Sequence, residues 1–284
     1  MTFNWTEHKL HREQVIEDRG QWVGLLDSEG IPICDVAPII DMHAPETRHE
    51  PSALSLTVAV RSPSGIIHPM VSRMVADGLG VDDDGALDFV LDDTLFIAVE
   101  RAGGGPDSRR VFRVTSTTQW GDLDSPVSMH IEGMDVLDML ASLPCPSIPD
   151  TWTGEWIWSD RDWAGMWSQT REIQDVKFAS VADGFTVAGQ AVPTIRGLIQ
   201  RSLDTVFRAI GVNDDPPIVV EDVPFDGESP HVIIRPTDGY LWETVSAPAL
   251  AAGVNITARM WLPGDSWGPS NLSKPTVVVR VGGA

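Results

Sequence analysis

The chain has 284 residues, 42% of them apolar, which suits one large domain or two smaller ones. Its 41 acidic and 20 basic residues leave a net charge of −21, and such a surface repels phosphate backbones and argues against nucleic-acid binding. The two cysteines, Cys34 and Cys145, belong to no Cys-x-x-Cys or Cys/His motif, so zinc is not expected; both read as buried reduced thiols, with long-range pairing the alternative.

The amino terminus is polar and charged and does not read as a signal peptide. No apolar run approaches about 18 residues, so no membrane span is expected, and folding in a cytoplasm follows. Residues 1–20 read as a polar arm with scattered anchors at Phe3, Trp5 and Leu10. Two apolar runs, 22–26 and 31–36, meet at Asp27-Ser28-Glu29-Gly30 and predict a hairpin. Residues 53–60 alternate, with Leu54, Leu56, Val58 and Val60 on one face, which predicts a half-buried strand. A short helix is expected over 68–79, opened by Pro69. An acidic turn at Asp82-Asp83-Asp84-Gly85 then leads to strands at 87–91 and 95–101.

The best-formed local unit is 109–143. Alternating runs at 111–117 and 127–132 flank a polar turn with Gly121 and Pro126, and a helix carrying Met134, Leu137, Leu140 and Ala141 follows until Pro144 stops it. A proline-rich piece, 144–150, is the best linker. Five tryptophans follow: Trp152, Trp156, Trp158, Trp163 and Trp167. Trp152/Trp156 and Trp163/Trp167 are each four apart, so a helix would place each pair on one face.

Pro193 opens the clearest helix. Ile195, Leu198, Ile199, Leu203, Val206, Phe207 and Ile210 form its apolar stripe and Gly211 closes it, with Arg196, Arg201 and Arg208 off the stripe on a solvated or partner-facing side. Strands are expected at 218–221, 231–235, 255–262 and 276–281. A helix is expected over 240–252, which Pro248 should bend or interrupt.

Little in this inventory carries chemistry. The acidic turn with Asp88, Asp92 and Asp93 lacks the ligand ladder of an EF-hand and reads as solvated. His8 and His11, and His43 and His49 with Glu46 and Glu50, make no His-Glu-x-x-His pattern and read as incidental. Glu155 with Asp160 or Asp162 is a glycosidase pairing on paper, in a chain where acids are plentiful. Walker, Gly-x-Gly-x-x-Gly and Gly-x-Ser-x-Gly motifs are lacking. No enzyme activity, cofactor or metal is expected. The tryptophans read as core or subunit-interface anchors, with a sugar-stacking platform as the alternative.

The order of the pieces is the more informative signal. The alternating strand at 54–60, the strand ending in Glu100-Arg101, the hairpin around Phe112-Arg113-Val114 and its partner ending at Gly133-Met134-Asp135 precede Met260-Trp261-Leu262-Pro263-Gly264-Asp265 and a closing strand. Together they resemble the minor tail proteins of long-tailed phages of actinobacteria, the Gp37-like group, and more loosely the baseplate-hub proteins of contractile tails. The resemblance spans most of residues 21–284, and the Trp-Leu-Pro-Gly-Asp stretch is its sharpest part.

It implies a mainly β, α+β fold with antiparallel β-barrel hub domains and short packed helices, and no catalytic residues. It also implies a homo-oligomeric ring, typically a trimer, at the tail tip. Such a ring would meet the distal tail protein, the tape measure and fibre or spike proteins, with DNA only passing through a lumen, in a virion assembled in the host cytoplasm. Placed in this frame, the hairpin of 109–143 is expected to form a barrel wall, its helix closing the barrel's apolar side. The expected organisation is an arm (1–20), a first β-rich barrel domain (21–143), a Pro/Trp-rich linker or interface segment (144–192), and a helix with a second β-rich domain (193–284). The candidate interface is Trp152, Trp156, Trp158, Trp163, Trp167, Arg196, Arg201 and Arg208.

Overall fold

The computed structural model describes residues 3–47, 49–75, 94–122, 125–174, 176–178, 185–212 and 214–283. The acidic turn, the strand expected at 87–91 and the end of the helix expected at 68–79 lie outside the described residues. The chain divides into two units, Met1–Leu137 with Ala258–Val277, and Asp138–Thr257 with Val278–Ala284.

The first unit is organised by a seven-stranded antiparallel sheet that curls into an open half-barrel. Its strands are β1 (Gln21–Leu26), β2 (Pro32–Asp35), β3 (Ile39–His43), β4 (Ala53–Ala59), β5 (Phe96–Arg101), β6 (Arg109–Asp122) and β7 (Ser125–Asp135), in the order β2-β1-β5-β6-β7-β4-β3. Strand β4 alternates as predicted, burying Leu54, Leu56 and Val58 opposite Gly133, Ile131 and Met129 of β7. These residues join Val23, Leu25, Ile97, Val99 and Phe112 in one core, which also takes in Met70 and Met74 of the short helix α2 (Met70–Met74).

Strands β1 and β5 do not alternate. Five consecutive residues in each are buried, because the sheet is covered on both faces there. Trp22, Leu26, Phe96, Ala98 and Val111 are buried yet stand outside the α2-side core. Trp22 lies along its own strand so closely that a Cβ at Gly24 would fall 2.1 Å from the indole, and only glycine admits that path.

Part of the cover on this second face is helix α1 (Trp5–Arg19), where an arm is expected. The helix has almost no apolar stripe, and its one buried residue is Arg12. Its ends are nevertheless well signalled. Asn4 caps the first turn, accepting from the Glu7 backbone N–H at 3.2 Å while Glu7 accepts from the Asn4 amide at 3.0 Å. Gly20 closes it at φ +81°, donating to Ile16.

The β6–β7 hairpin is longer than the alternating runs suggest. Gly121, at φ +119°, and Pro126 pair across the ladder rather than forming its turn, and bulges interrupt β6 at Val114/Ser116 and Trp120/Gly121. The helix after it shrinks to a 3₁₀ turn, Val136–Asp138, and a single turn α3 (Met139–Ser142). Helix α3 belongs to the second unit, where it packs against α5 (Leu241–Ala251).

The remaining elements are β8 (Trp156–Asp162), β9 (Gly165–Gln174), β10 (Val187–Gln190), α4 (Ala191–Ala209), β11 (Ile218–Val220), β12 (His231–Ile234), β13 (Val254–Trp261) and β14 (Thr276–Gly283). They form the sheets β8-β9, β10-β12 and β11-β14-β13. Helix α4 buries its predicted stripe except Ile210, which follows the last helical residue and is exposed. Helix α5 runs through Pro248 to Ala251. Proline there removes one backbone hydrogen bond in the last turn, which the burial of Leu241, Val245 and Ala249 outweighs. Both cysteines are free thiols. Cys145 is buried near the Ser202 hydroxyl, and Cys34 is only partly covered, a correction to the expected burial of both.

Candidate functional site

The tryptophan segment folds as a β-hairpin, not a helix, which separates the pairs expected on shared helical faces. Residues two apart in a strand share a face, so Trp156 and Trp158 stand together, beside their cross-strand partners Gln174 and Glu172. Ile157 and Ile173 pair on the other face. At the tip, Asp162 Oδ1 accepts the backbone N–H groups of Ala164 (2.8 Å) and Gly165 (3.2 Å), and Oδ2 accepts Trp167 Nε1–H (3.1 Å). These bonds hold the Asp162 carboxyl below its ordinary range, those to Ala164 and then Trp167 contributing most. Arg171 lies over the Trp167 ring at 4.9 Å.

The result is a stiff turn that leaves Trp163 99% exposed; Trp156, Trp158 and Met166 are each more than half exposed. The hairpin is rooted on the end of α4. Gln174 donates to the Ala209 carbonyl, and Gly154, at φ +80°, passes so close to the Arg208 carbonyl that a Cβ would sit 2.6 Å from it.

The other candidate residues lie elsewhere in the second unit. Trp152 is buried, its Nε1–H donated to Lys177 and its ring set edgewise on Phe178. Arg196 donates to the carbonyls of Val223 and Val281. Arg201 binds Asp150 at 3.1 Å and lies over Phe185. Arg208 is exposed. The structure thus gathers Trp156, Trp158, Trp163 and Trp167 on one ribbon. It also occupies the carboxylates of the paper glycosidase pair: Asp160 binds Arg161 and Asp162 caps the turn.

A second constellation was not legible in sequence. On the α1-covered face of the large sheet, Arg109 donates from Nε to Glu100 (2.9 Å) and binds Asp265 with both terminal nitrogens (2.6 and 3.0 Å). Arg12 approaches the same two carboxylates at 3.1 and 3.7 Å. The two guanidiniums and two carboxylates balance, and all four are nearly buried. Burial and the neighbouring Arg109 lower the Arg12 pKa; burial acts on Arg109 too, but its bonds to Asp265 and Glu100 outweigh it and raise the value. Asp265 also accepts the Leu262 N–H at 2.9 Å. The Trp-Leu-Pro-Gly-Asp turn is therefore a clamp anchored on residues more than 150 positions away. A cavity of about 500 Å³ opens beside it, lined by Lys9, Glu13 and Ser108 among others. Within the quartet each guanidinium faces carboxylates, so the arrangement ties α1, β5, β6 and the 262–265 turn together.

His8 and His11 are not incidental. His11 bonds Asp35 at 2.8 Å, and His8 packs on Trp22 and accepts from Arg12 at 3.2 Å. Burial, then Arg12 and His11, lower the His8 pKa from the ordinary 6.5 to about 4, against the pull of Asp35. The folded state thus excludes a proton that the unfolded chain binds between about pH 4 and 6.5. Stability is complete above that window and falls as pH drops through it. His8→Gln should flatten this slope in urea midpoints measured at pH 7 and pH 5; an unchanged slope would show that His8 does not cause it.

Among the described residues, no cluster of three or more His, Cys, Asp or Glu side chains is placed to hold a metal ion. No described helix is long and apolar enough to cross a membrane. The geometry is that of an α+β protein built on a curled antiparallel sheet, carrying one bare aromatic ribbon.

No family model and no curated protein matches the chain. Among solved structures it is similar to the prophage tail protein gp18 from Listeria monocytogenes EGD-e, at 10% identity and a TM-score of 0.39 over 91% of this chain and 50% of that one. It is also similar to a tail protein from Neisseria meningitidis MC58, at 11% identity and a TM-score of 0.36 over 92% of this chain and 50% of that one. The chain spans about half the length of these proteins, and scores this low do not establish a common fold.

Proposed function

We propose that the chain is a structural subunit of a phage tail, placed at the tail tip or baseplate hub, with no enzymatic role. In this reading copies form a ring, a trimer in the hub arrangement, that joins the tail tube to fibres or a spike. The distal tail protein and tape measure are neighbours, and DNA only passes through. The observation that carries it is the ribbon of residues 156–174. A two-stranded hairpin with large apolar side chains in water gains little by itself, and exposed aromatics of this kind serve assembly. The sequence resemblance running through Trp261-Leu262-Pro263-Gly264-Asp265 supports the same reading, and the net charge of −21 suits a lumen along which phosphates slide. The four-part organisation, with its arm, barrel, Pro/Trp-rich segment and second β-rich domain, belongs to this proposal.

Immunogold labelling of virions with antibody raised against the chain should decorate the tail end distal to the head; gold elsewhere, or none, would remove the hub role. One observation favours a second reading. Trp156 and Trp158 share a strand face beside Glu172, a flat pair able to stack on pyranose rings. A monomeric chain that binds host cell-wall glycan, and loses it in Trp156→Ala, would identify a receptor-binding module instead.

A further inference from the structure

We propose that the outer face of strands β4, β7 and β6 binds a neutral saccharide, which stacks on Trp120 and bonds to Thr57, His130, Glu132 and Ser116. This surface belongs to the first unit and has no part in the tail reading above.

Strand β6 exchanges its faces midway. Phe112 and Val114 pack on the α2-side core. The bulge at Val114/Ser116 then inserts one residue, and a slip of one residue turns every later side chain to the opposite face. Thr117 and Gln119 now point inward, opposite the buried Ile131 and Met129. Thr117 donates to the Met74 carbonyl of α2 at 3.2 Å, and the Gln119 side-chain oxygen is buried with no hydrogen-bond partner among the described residues. Trp120, which would share the core side with Val114 in an unbroken strand, is 50% exposed. A glutamine inside and a tryptophan outside run against apolar burial, and such departures are expected where a surface is used.

The neighbours of Trp120 define the ligand. Thr57, His130 and Thr118 form one cross-strand row, with Glu132 and Ser116 in the next row and Trp120 in the one before. Their side chains are already tied together. Thr57 Oγ1 lies 3.0 Å from His130 Nδ1, Ser116 donates to Glu132 at 2.9 Å, and His130 Nε2 stands 3.7 Å from Glu132. The Trp120 ring lies against the imidazole, with centroids 6.0 Å apart. Leu56, Met129 and Ile131, between these rows, are fully buried and fix the array from below.

An open indole beside fixed hydroxyl, imidazole and carboxylate groups matches the two surfaces of a pyranose, its apolar C–H face and its ring of hydroxyls. Charge does not do the recognising. The same face carries Asp41 and His43 on β3 and Arg113 one row beyond Glu132, so neither sign dominates, and a chain of net charge −21 repels polyanions. Rows on one face are about 7 Å apart along a strand. A sugar ring on Trp120 therefore meets His130, and a second ring meets Glu132, which makes the ligand an oligosaccharide.

Isothermal titration calorimetry on the full chain tests this with four neutral probes, linear tetrasaccharides of glucose, galactose, mannose and N-acetylglucosamine, and with the acidic tetragalacturonate. At least one neutral probe should bind with a Kd of about 1 mM or tighter, and tetragalacturonate should not bind. Trp120→Ala and Glu132→Gln should each weaken that binding by roughly tenfold or more, while Trp156→Ala leaves it unchanged. Trp120→Ala should also keep the wild-type urea midpoint and sedimentation coefficient.

Silence with all four neutral probes, equal binding of tetragalacturonate, or a loss caused by Trp156→Ala and not by Trp120→Ala would overturn the site. So would a Trp120→Ala chain that unfolds earlier in urea, or that dissociates where the wild-type chain associates, since Trp120 would then be a packing or subunit residue. Tail-end gold without sugar binding would sink this site alone, and sugar binding through Trp120 without tail-end gold would sink the hub role alone.

Discussion

Arg109→Ala is expected to lower stability by about 3–5 kcal/mol, the cost of leaving buried charge without its partner. Among the described residues, Arg109 alone hydrogen-bonds both Glu100 and Asp265 through its side chain. Truncating it strands two carboxylates that are almost free of solvent, with Arg12 as their remaining nearby cation. Arg12 cannot replace it, since it reaches Asp265 only at 3.7 Å. Arg109→Lys should recover part of the loss, because one ammonium cannot grip a carboxylate with two parallel bonds.

Arg201→Ala provides the contrast. Its pair with Asp150 is exposed on both sides, and such pairs contribute about 0–1 kcal/mol. Urea unfolding midpoints measure both variants. A loss below about 1 kcal/mol for Arg109→Ala would mean that the quartet is looser than its distances imply.

Phe112→Ala should cost about 3–5 kcal/mol, through lost burial and the cavity left behind. Phe112 is fully buried opposite Ile97, and Arg110 lies over its ring at 4.8 Å while bonded to the carbonyls of Ala44 and Pro45 and to Asp135. The cavity would therefore sit beneath a guanidinium that is itself held in place, so collapse is restricted. Phe112→Leu should restore most of the loss. Arg109 and Phe112 are three apart on β6 and face opposite sides of the sheet, so the two effects should add in the double variant to within about 0.5 kcal/mol. A strongly non-additive result would show that the two faces are coupled.

How far the sequence is legible depends on whether the decisive contact is local. Alternation at 53–60 reports a strand covered on one side, and the stripe from Ile195 to Phe207 reports a helix against a core; both form as predicted. The α+β class follows from such segments. Helix α1 escapes a search for apolar periodicity because one arginine is its only buried residue. Asn4 as an N-cap and Gly20 as the stop were its local signals. The tryptophans mislead in a different way. A spacing of four suggests a helix, but Asp162 and Gly165 close a tight turn, and the meaningful interval is the two residues between Trp156 and Trp158. The quartet is illegible for a simpler reason: nothing near Asp265 in sequence announces Arg12, Glu100 or Arg109.

The division of the chain also sets a schedule for synthesis. The first unit runs to Leu137 but is completed only by Ala258–Val277. At about 5–20 residues per second, the ribosome spends roughly 6–24 s on the intervening segment. Throughout that interval Arg109 and Glu100 exist without Asp265, and the α1 face of the sheet lacks the turn that completes its cover. The nascent sheet thus stays open until most of the second unit has been made, a period in which its apolar second face is available to chaperones or to neighbouring nascent chains.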